Sequence, residues 1–335
     1  MKIHVLATTL ATASLGARIF CGQWTLLHDF ETGFEGWDIT HNLNGFGRMV
    51  IQADPRDPGN RVFYLESGGY GIQDNNTNLA ALTLPIPIDE GEMVALFWRY
   101  YETGPGNNFQ ISFTDAAKTQ DEAGTWIAPV PYTTLETIYR VGSANFPSET
   151  SARSANRYAR LGVGDTPETF VPFVHQSGTW YDMWMIVRNE VGTADDSYSL
   201  WVQGGQFQFP EPTVLRIEEL DEDGGFLTGN YPTKIRFRNG VAAPLVTLTI
   251  FTESGYAMDP FAGDPWFIDD IYITQAFRLW HGYAVDAEGY ADTGDWMGVV
   301  YVVDIKKDWA YAFTLHRWVN VGRTAANGGW VYIAR

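Results

Sequence analysis

Two short segments far apart in the chain limit how it can fold. FETGFEGW occupies 30–37 and WFIDDIYI occupies 266–273. Between them stand RVFYLES (61–67), MVALFWRYYE (93–102), NFQISFTD (108–115), RYARLGVGD (157–165), WYDMWMIVRN (180–189), SYSLWVQ (197–203), TKIRFRN (233–239) and LVTLTIF (245–251). These runs alternate or are continuously apolar, and Gly, Asn, Asp and Pro cluster between them, which is the pattern of strands and turns. So many short strands predict an all-β chain built as a sandwich or barrel. Long amphipathic helices are not expected. Short ones are expected at most within 133–141 or 216–223. The two outer segments are expected to become neighbouring strands.

The Asp pair in the last of these runs is costly to bury. Strict alternation would put Ile268, Asp270 and Tyr272 on one face and Asp269, Ile271 and Ile273 on the other. One carboxylate would then point the same way as two isoleucines and would need a partner. Ca²⁺, which takes hard oxygen ligands, is the expected one. Asp29 and Glu31 beside the first strand are the expected co-ligands of Asp269 and Asp270. The simpler alternative is an Asp that caps a turn or pairs with an arginine.

The chain holds 22 Lys and Arg against 40 Asp and Glu, a net charge of −18. Nucleic-acid binding needs a basic footprint, so no nucleic-acid partner is expected. The first residues carry one early Lys and then a short apolar stretch of small residues, as a secretory leader does. Residues 1–22 are therefore expected to be a signal peptide, cleaved between Ala17 and Gln23. No other stretch is long and apolar enough to span a membrane. Cys21 is the only cysteine, so a chain cleaved beyond it has no disulfide.

Several cationic and aromatic residues sit inside strand-like runs. Lys234, Arg236 and Arg238 share one face of TKIRFRN, and Arg99, Arg160 and Arg188 lie within other runs. Arginine forks grip carboxylate and sulfate, so a groove lined by them would suit a uronate or sulfated polysaccharide. In the run from 180, Trp180, Asp182, Trp184, Ile186 and Arg188 share a face, and Tyr181, Met183, Met185 and Val187 form the other, core-like face. Trp180, Trp184 and Tyr101 are candidates to stack on sugar rings. The opposing reading is that the tryptophans pack the sandwich and the arginines pair with acids.

FETGFEGW, the block TWYDMWMIVRN followed by DDSYSLWVQ (179–203), and PWFIDDIYIT (265–274) together resemble secreted bacterial concanavalin A-like lectin/glucanase jelly rolls. The resemblance implies an antiparallel jelly-roll β-sandwich over 24–276, a concave face suited to glycans and often a structural calcium ion. Residues 277–335, with Trp296, Trp309, Trp318 and Trp330, read as a small tail of three β-hairpin elements with aromatic anchors, similar to aromatic hairpins of cell-wall and glucan-binding repeats. The expected function is secreted, non-catalytic binding of an anionic polysaccharide outside a Gram-negative cell.

Two alternatives stand beside it. One is a polysaccharide lyase or glycoside hydrolase with a divergent site. The acidic string Glu219–Asp223 lacks the apolar interleaving of a catalytic strand, and a solvated turn supplies no raised pKa. Tyr101, Tyr158, Tyr181 and His175 are the residues that could act as an eliminating base. The lyase-type Arg-x-Glu-x-Arg and Gln-x-His strands are missing, with Ser112 standing where the His would be. The other alternative is a structural surface protein attached through its tail. Nucleotide-loop, serine-hydrolase and zinc-protease motifs are absent from the sequence.

Overall fold

The structure is a computed structural model. It describes residues 24–40, 47–67, 77–103, 108–115, 139–141, 169–170, 178–192, 197–205, 207–208, 212–214, 218–219, 235–236, 243–253, 265–280, 283–285, 289–293, 297–303, 309–322 and 330–333. All regular structure among them is strand. In chain order the strands are β1 (Trp24–His28), β2 (Trp37–Thr40), β3 (Gly47–Ala53), β4 (Arg61–Ser67), β5 (Thr77–Ile88), β6 (Glu92–Glu102), β7 (Asn108–Thr114) and β8 (Tyr139–Val141). They continue with β9 (Thr169–Phe170), β10 (Thr179–Asn189), β11 (Ser197–Gly204), β12 (Thr213–Val214), β13 (Glu218–Glu219), β14 (Ile235–Arg236), β15 (Leu245–Glu253) and β16 (Trp266–Thr274). The last are β17 (Phe277–Trp280), β18 (Tyr283–Val285), β19 (Tyr290–Asp292), β20 (Val299–Val302), β21 (Trp309–Ala312), β22 (Arg317–Gly322) and β23 (Trp330–Ile333). The helices considered at 133–141 and 216–223 are not helices where residues are described: β8 pairs with β7, and β13 pairs with β9.

Two antiparallel sheets form a jelly-roll sandwich. One runs β2-β5-β15-β7-β8. The larger runs β3-β4-β16-β6-β10-β11, with β12 and β14 on the outer edge of β11. β1 lies antiparallel to β16 through Trp24↔Thr274 and Leu26↔Tyr272. The expected pairing of the two outer segments is thus corrected: the partner of β16 is Trp24–His28, while FETGFEGW turns the chain from β1 into β2 of the other sheet. The core between the sheets takes Leu96, Trp98 and Tyr100 from β6, Tyr181, Met183, Met185 and Val187 from β10, and Leu248 and Ile250 from β15. Each contributes through alternate residues, which is why the period of two survives from sequence to structure. FETGFEGW closes one part of this core: Phe30 is fully buried with its ring 5.2 Å from Phe63, and Phe34 lies 5.1 Å from the same ring.

The alternation fails at one place, and the failure matters. Asp269 pairs with Arg99, but Tyr272 pairs with Phe97, so β16 carries an irregular step between them. Asp270 occupies that step at φ 53°. An inserted residue of this kind shifts the side-chain parity of everything after it. Trp266, Ile268, Ile271 and Ile273 therefore all join the core. Phe267 joins the cluster of Tyr101, and Tyr272 packs against Phe97, on the opposite side of the sheet. The faces expected from strict alternation are thus corrected: Asp269 does not share a face with Ile271 and Ile273.

β17 pairs with the start of β6 through Phe277↔Met93 and Arg278↔Glu92, and from there a continuous antiparallel meander runs to β23. This differs from three separate hairpins. The buried cluster is mostly small, with Ala291, Val300, Ala310, Ala312, Val319 and Val321 beside Trp280, and of the expected aromatic anchors the side chains of Trp296 and Trp330 fall outside the described residues. Trp309 and Trp318 are exposed.

The left-handed backbone at Asp270 generates a test. Asp and Asn tolerate this conformation, whereas a β-branched residue does not. Asp270→Val is expected to be less stable than Asp270→Asn by about 1–2 kcal/mol in urea unfolding, and since both lose the charge the difference reports the backbone.

Candidate functional site

The outer face of the larger sheet carries an ordered set of side chains because four strands are in register. Tyr64, Phe267, Tyr101 and Trp180 stand opposite one another across β4, β16, β6 and β10. Their rings touch in sequence, at 5.4 Å for Tyr64–Phe267, 5.5 Å for Phe267–Tyr101 and 5.4 Å for Tyr101–Trp180. Two residues along the strands comes a charged row, Asp269, Arg99 and Asp182. Beyond it lies a second aromatic row, Tyr272, Phe97, Trp184 and Trp201.

Arg99 is the centre of the charged row. Its Nε donates to Asp182 Oδ1 at 3.2 Å, and its Nη1 lies 3.6 Å from Asp270 Oδ2 and 3.9 Å from Asp269 Oδ2. Its guanidinium also sits over the Trp180 ring, 4.8 Å from the centroid. A cation on an indole face is favourable by about 0.5–2 kcal/mol, more as water is excluded.

The β3–β4 turn supplies the other half of the site. Asp54–Asn60 reads DPRDPGN, a cluster of turn formers. Asp54 Oδ1 accepts the Arg56 amide at 2.7 Å, and the Asp54 amide donates to the Asn60 carbonyl at 2.9 Å, so the turn folds on itself. It then reaches the sheet. Trp180 Nε1 donates to Asp54 Oδ1 at 3.3 Å, and Asn60 Nδ2 donates to Asp269 Oδ2 at 2.9 Å. Arg56 donates to the Gly178 carbonyl and lies 6.0 Å from the Tyr101 ring.

Asp269 is 3% exposed, and burial together with the neighbouring Asp270 charge pushes its carboxyl up to about 7, against the pull of Asn60 and Arg99. Its Oδ1 meets no hydrogen-bond donor among the described residues. Asp182 is also raised, by burial first, with Arg99 opposing. Its side chain keeps 39% of its surface and that of Asp270 27%, so these two, unlike Asp269, can meet a ligand.

The structure thus gathers Arg99, Tyr101, Trp180, Asp269 and Asp270 of the candidate residues into one corner. Trp184 and Arg188 lie on the same outer face but elsewhere. Trp184 is 2% exposed among Phe97, Ile186 and Trp201, so it packs the sheet and offers no sugar-stacking surface, contrary to expectation. Tyr101 is 6% exposed beneath Arg56 and is likewise a supporting ring. Arg188 donates to Ser199 Oγ at 3.2 Å, and burial disfavours its charge. It stands six residues along β10 from Asp182, roughly 20 Å away at strand rise, so it does not join Arg99 in a groove. Arg236 lies opposite Ser197 on β14. Its side chain, with Arg160, Lys234 and Arg238, falls outside the described residues, as do Tyr158 and His175. Tyr181 is fully buried and stacks on Tyr100, which removes it as an eliminating base.

A calcium site needs about six to eight oxygens. Asp29 Oδ1 accepts the Glu31 amide at 3.2 Å in a turn after β1, and no group of three or more His, Cys, Asp or Glu side chains is placed to hold a metal ion among the described residues. Arg99 lies beside Asp269 and Asp270, a pairing of the kind the sequence left open. Asp54, Arg56 and Asn60 were not singled out as site residues. The turn signal was legible, but nothing in it says which strands it folds onto.

No family model matches the sequence, and no curated protein matches it. Solved structures with a similar strand arrangement include a sialidase (12% identity, TM-score 0.39), of which the chain spans 18% while 75% of this chain is covered. A winged bean acidic lectin complexed with methyl-alpha-D-galactose is 9% identical with a TM-score of 0.41, covering 75% of this chain and 97% of that one. The marine PL-14 alginate lyase from Aplysia kurodai is 12% identical with a TM-score of 0.38, covering 71% and 90%. No helix among the described residues is long and apolar enough to cross a membrane.

The raised carboxyl has a consequence for stability. An ordinary Asp titrates near about 3.9 in the unfolded chain, so the folded chain holds this proton more tightly. Stability from this group is then fully present below about pH 4, falls as pH rises through about 7, and is level above that. Asp269→Asn cannot ionise, and its stability relative to the parent is expected to improve steadily from about pH 4 to about pH 7.5 in urea melts. A constant difference across that range would contradict the assignment.

Proposed function

We propose that the chain binds carbohydrate, without catalysis, at the Trp180 corner of the larger sheet. The observation that carries this reading is a half-buried indole fixed by Arg99 and Asp54, with the partly exposed side chains of Asp182 and Asp270 beside it. A partly apolar ring surface next to fixed hydrogen-bond acceptors is what sugar recognition needs: the ring meets C–H faces and the acceptors take hydroxyl protons.

The same corner holds Asp54, Asp182, Asp269 and Asp270 against Arg56 and Arg99. That balance favours a neutral, hydroxyl-rich glycan there. A uronate or sulfated ligand, the sequence-based expectation, would depend on Lys234, Arg236, Arg238 and Arg160 instead. Non-catalytic action is supported by the burial of Asp269: the carboxyl with the proton to give is walled off by Asn60 and Arg99. Secretion rests on the leader-like residues 1–22.

The test is retention of the full chain on affinity gels of neutral, uronate and sulfated polysaccharides, with assay for new reducing ends and unsaturated products. Trp180→Ala is expected to weaken retention on a neutral glycan by tenfold or more, about 1.4 kcal/mol. Product formation by the parent chain would replace binding with the lyase or hydrolase reading. Unchanged retention in the variant would remove this corner as the contact.

A further inference from the structure

The meander inverts the usual distribution of side chains. Apart from Trp280, its buried face is lined largely by alanine and valine, while Tyr290, Tyr301, Trp309, Phe313 and Trp318 are outside. Tyr290, Tyr301, Tyr311 and Trp318 stand directly opposite one another across β19, β20, β21 and β22. Tyr290 is 40%, Tyr301 36% and Trp318 42% exposed, and Phe313, two residues beyond Tyr311, is 42% exposed. The rings touch, at 5.3 Å for Tyr290–Tyr301, 5.5 Å for Tyr311–Trp318 and 5.3 Å for Tyr311–Phe313. With strands about 4.8 Å apart, the four-ring ladder spans roughly 14 Å.

The ladder is held in place. Gly289, at φ 92°, leaves room for the Tyr301 ring, which a Cβ would meet at 3.0 Å. The β19–β20 turn is closed by Thr293 Oγ1 donating to the Gly298 carbonyl at 2.8 Å and accepting the Met297 amide at 3.0 Å. Thr314 Oγ1 on the next turn donates to the Met297 carbonyl at 3.0 Å. Such a surface loses little conformational freedom on binding.

Contiguous exposed aromatic surface marks an interaction site more often than a scattered side chain does. Charge narrows the partner. The ladder is built of Tyr and Trp, with the acid Asp292 two residues along β19 at one end, and the chain carries −18 overall, which disfavours a second copy and an anionic membrane surface alike. Asn320 lies beside the ladder, opposite Trp309 in register, and can both donate to and accept from hydroxyls. We infer that this face is a second carbohydrate-contact surface, taking an uncharged polysaccharide chain across the Tyr290–Trp318 ladder. The choice of ligand class rests on the carbohydrate-binding reading above. The site itself is separate, and two contacts on one polymer would add through effective concentration.

The experiment uses the full chain on insoluble cellulose, curdlan and agarose, with zwitterionic phosphatidylcholine vesicles and sedimentation as companion measurements. Two double variants are compared: Tyr301→Leu with Trp318→Leu, which keeps apolar bulk, and Tyr301→Phe with Trp318→Phe, which keeps the rings. Cross-strand aromatic pairs also stabilise sheets, so thermal melts of both variants accompany the binding data. The inference expects the leucine pair to lose retention tenfold or more and the phenylalanine pair to stay within about threefold, at similar melting temperatures. Equal retention by parent and leucine pair overturns it. So does a parent chain that no neutral polysaccharide retains, or one whose ladder instead drives vesicle binding or self-association that the leucine pair abolishes. Loss in the ladder variants with none in Trp180→Ala supports this surface and overturns the corner. The reverse pattern overturns this surface alone.

Discussion

One guanidinium among three carboxylates organises the outer face of the larger sheet. Arg99 can reach Asp182 because β6 and β10 are in register, and it can reach Asp269 because β16 flanks β6 on the other side. Neither neighbour is close in sequence. Leaving Asp269 buried without that cation would cost several kcal/mol, since an unpaired charge in a dry site has nothing to replace its water. Part of the cost is avoided another way: the carboxyl holds its proton to about pH 7. The cluster therefore fixes geometry more than it adds net stability, and what it fixes is the orientation of Trp180 and of the β3–β4 turn.

The irregular step at Asp270 makes the cluster possible. In an uninterrupted strand, Ile268 and Ile271 could not both face the core, because successive residues alternate. With one residue inserted they do, and Asp269 goes to the opposite side with Phe267. The feature that looked most expensive in the sequence, two adjacent carboxylates in an apolar strand, is resolved by backbone geometry and an arginine.

The meander obeys a different economy. Alanine and valine on its buried face lose little side-chain entropy on packing. Its aromatic rings pair across strands in the open, where they support the sheet and remain available to a ligand. The sandwich does the opposite, burying Trp98, Trp266 and Tyr100 and leaving its Trp180 corner half covered. The two parts present aromatic surface of unlike character, one built round an arginine and its acids and one built of a tyrosine and tryptophan row.

Local periodicity was enough to determine an all-β chain, the strands at 61–67, 93–102, 108–115, 180–189, 197–203, 245–251 and 266–274, and the division of β10 into a core face and an outer face. That is because the pleat repeats every two residues and one face of each strand must be dry. Trp180, Arg99 and the Asp pair could be singled out by composition within those runs. Tertiary structure decided their roles. Whether an aromatic packs or is presented depends on what lies over it, so Trp184 is buried and Trp318 is not. Whether an arginine binds a ligand or balances an acid depends on strand order, which links Arg99 to residues 83 and 170 positions away and is written in no local pattern.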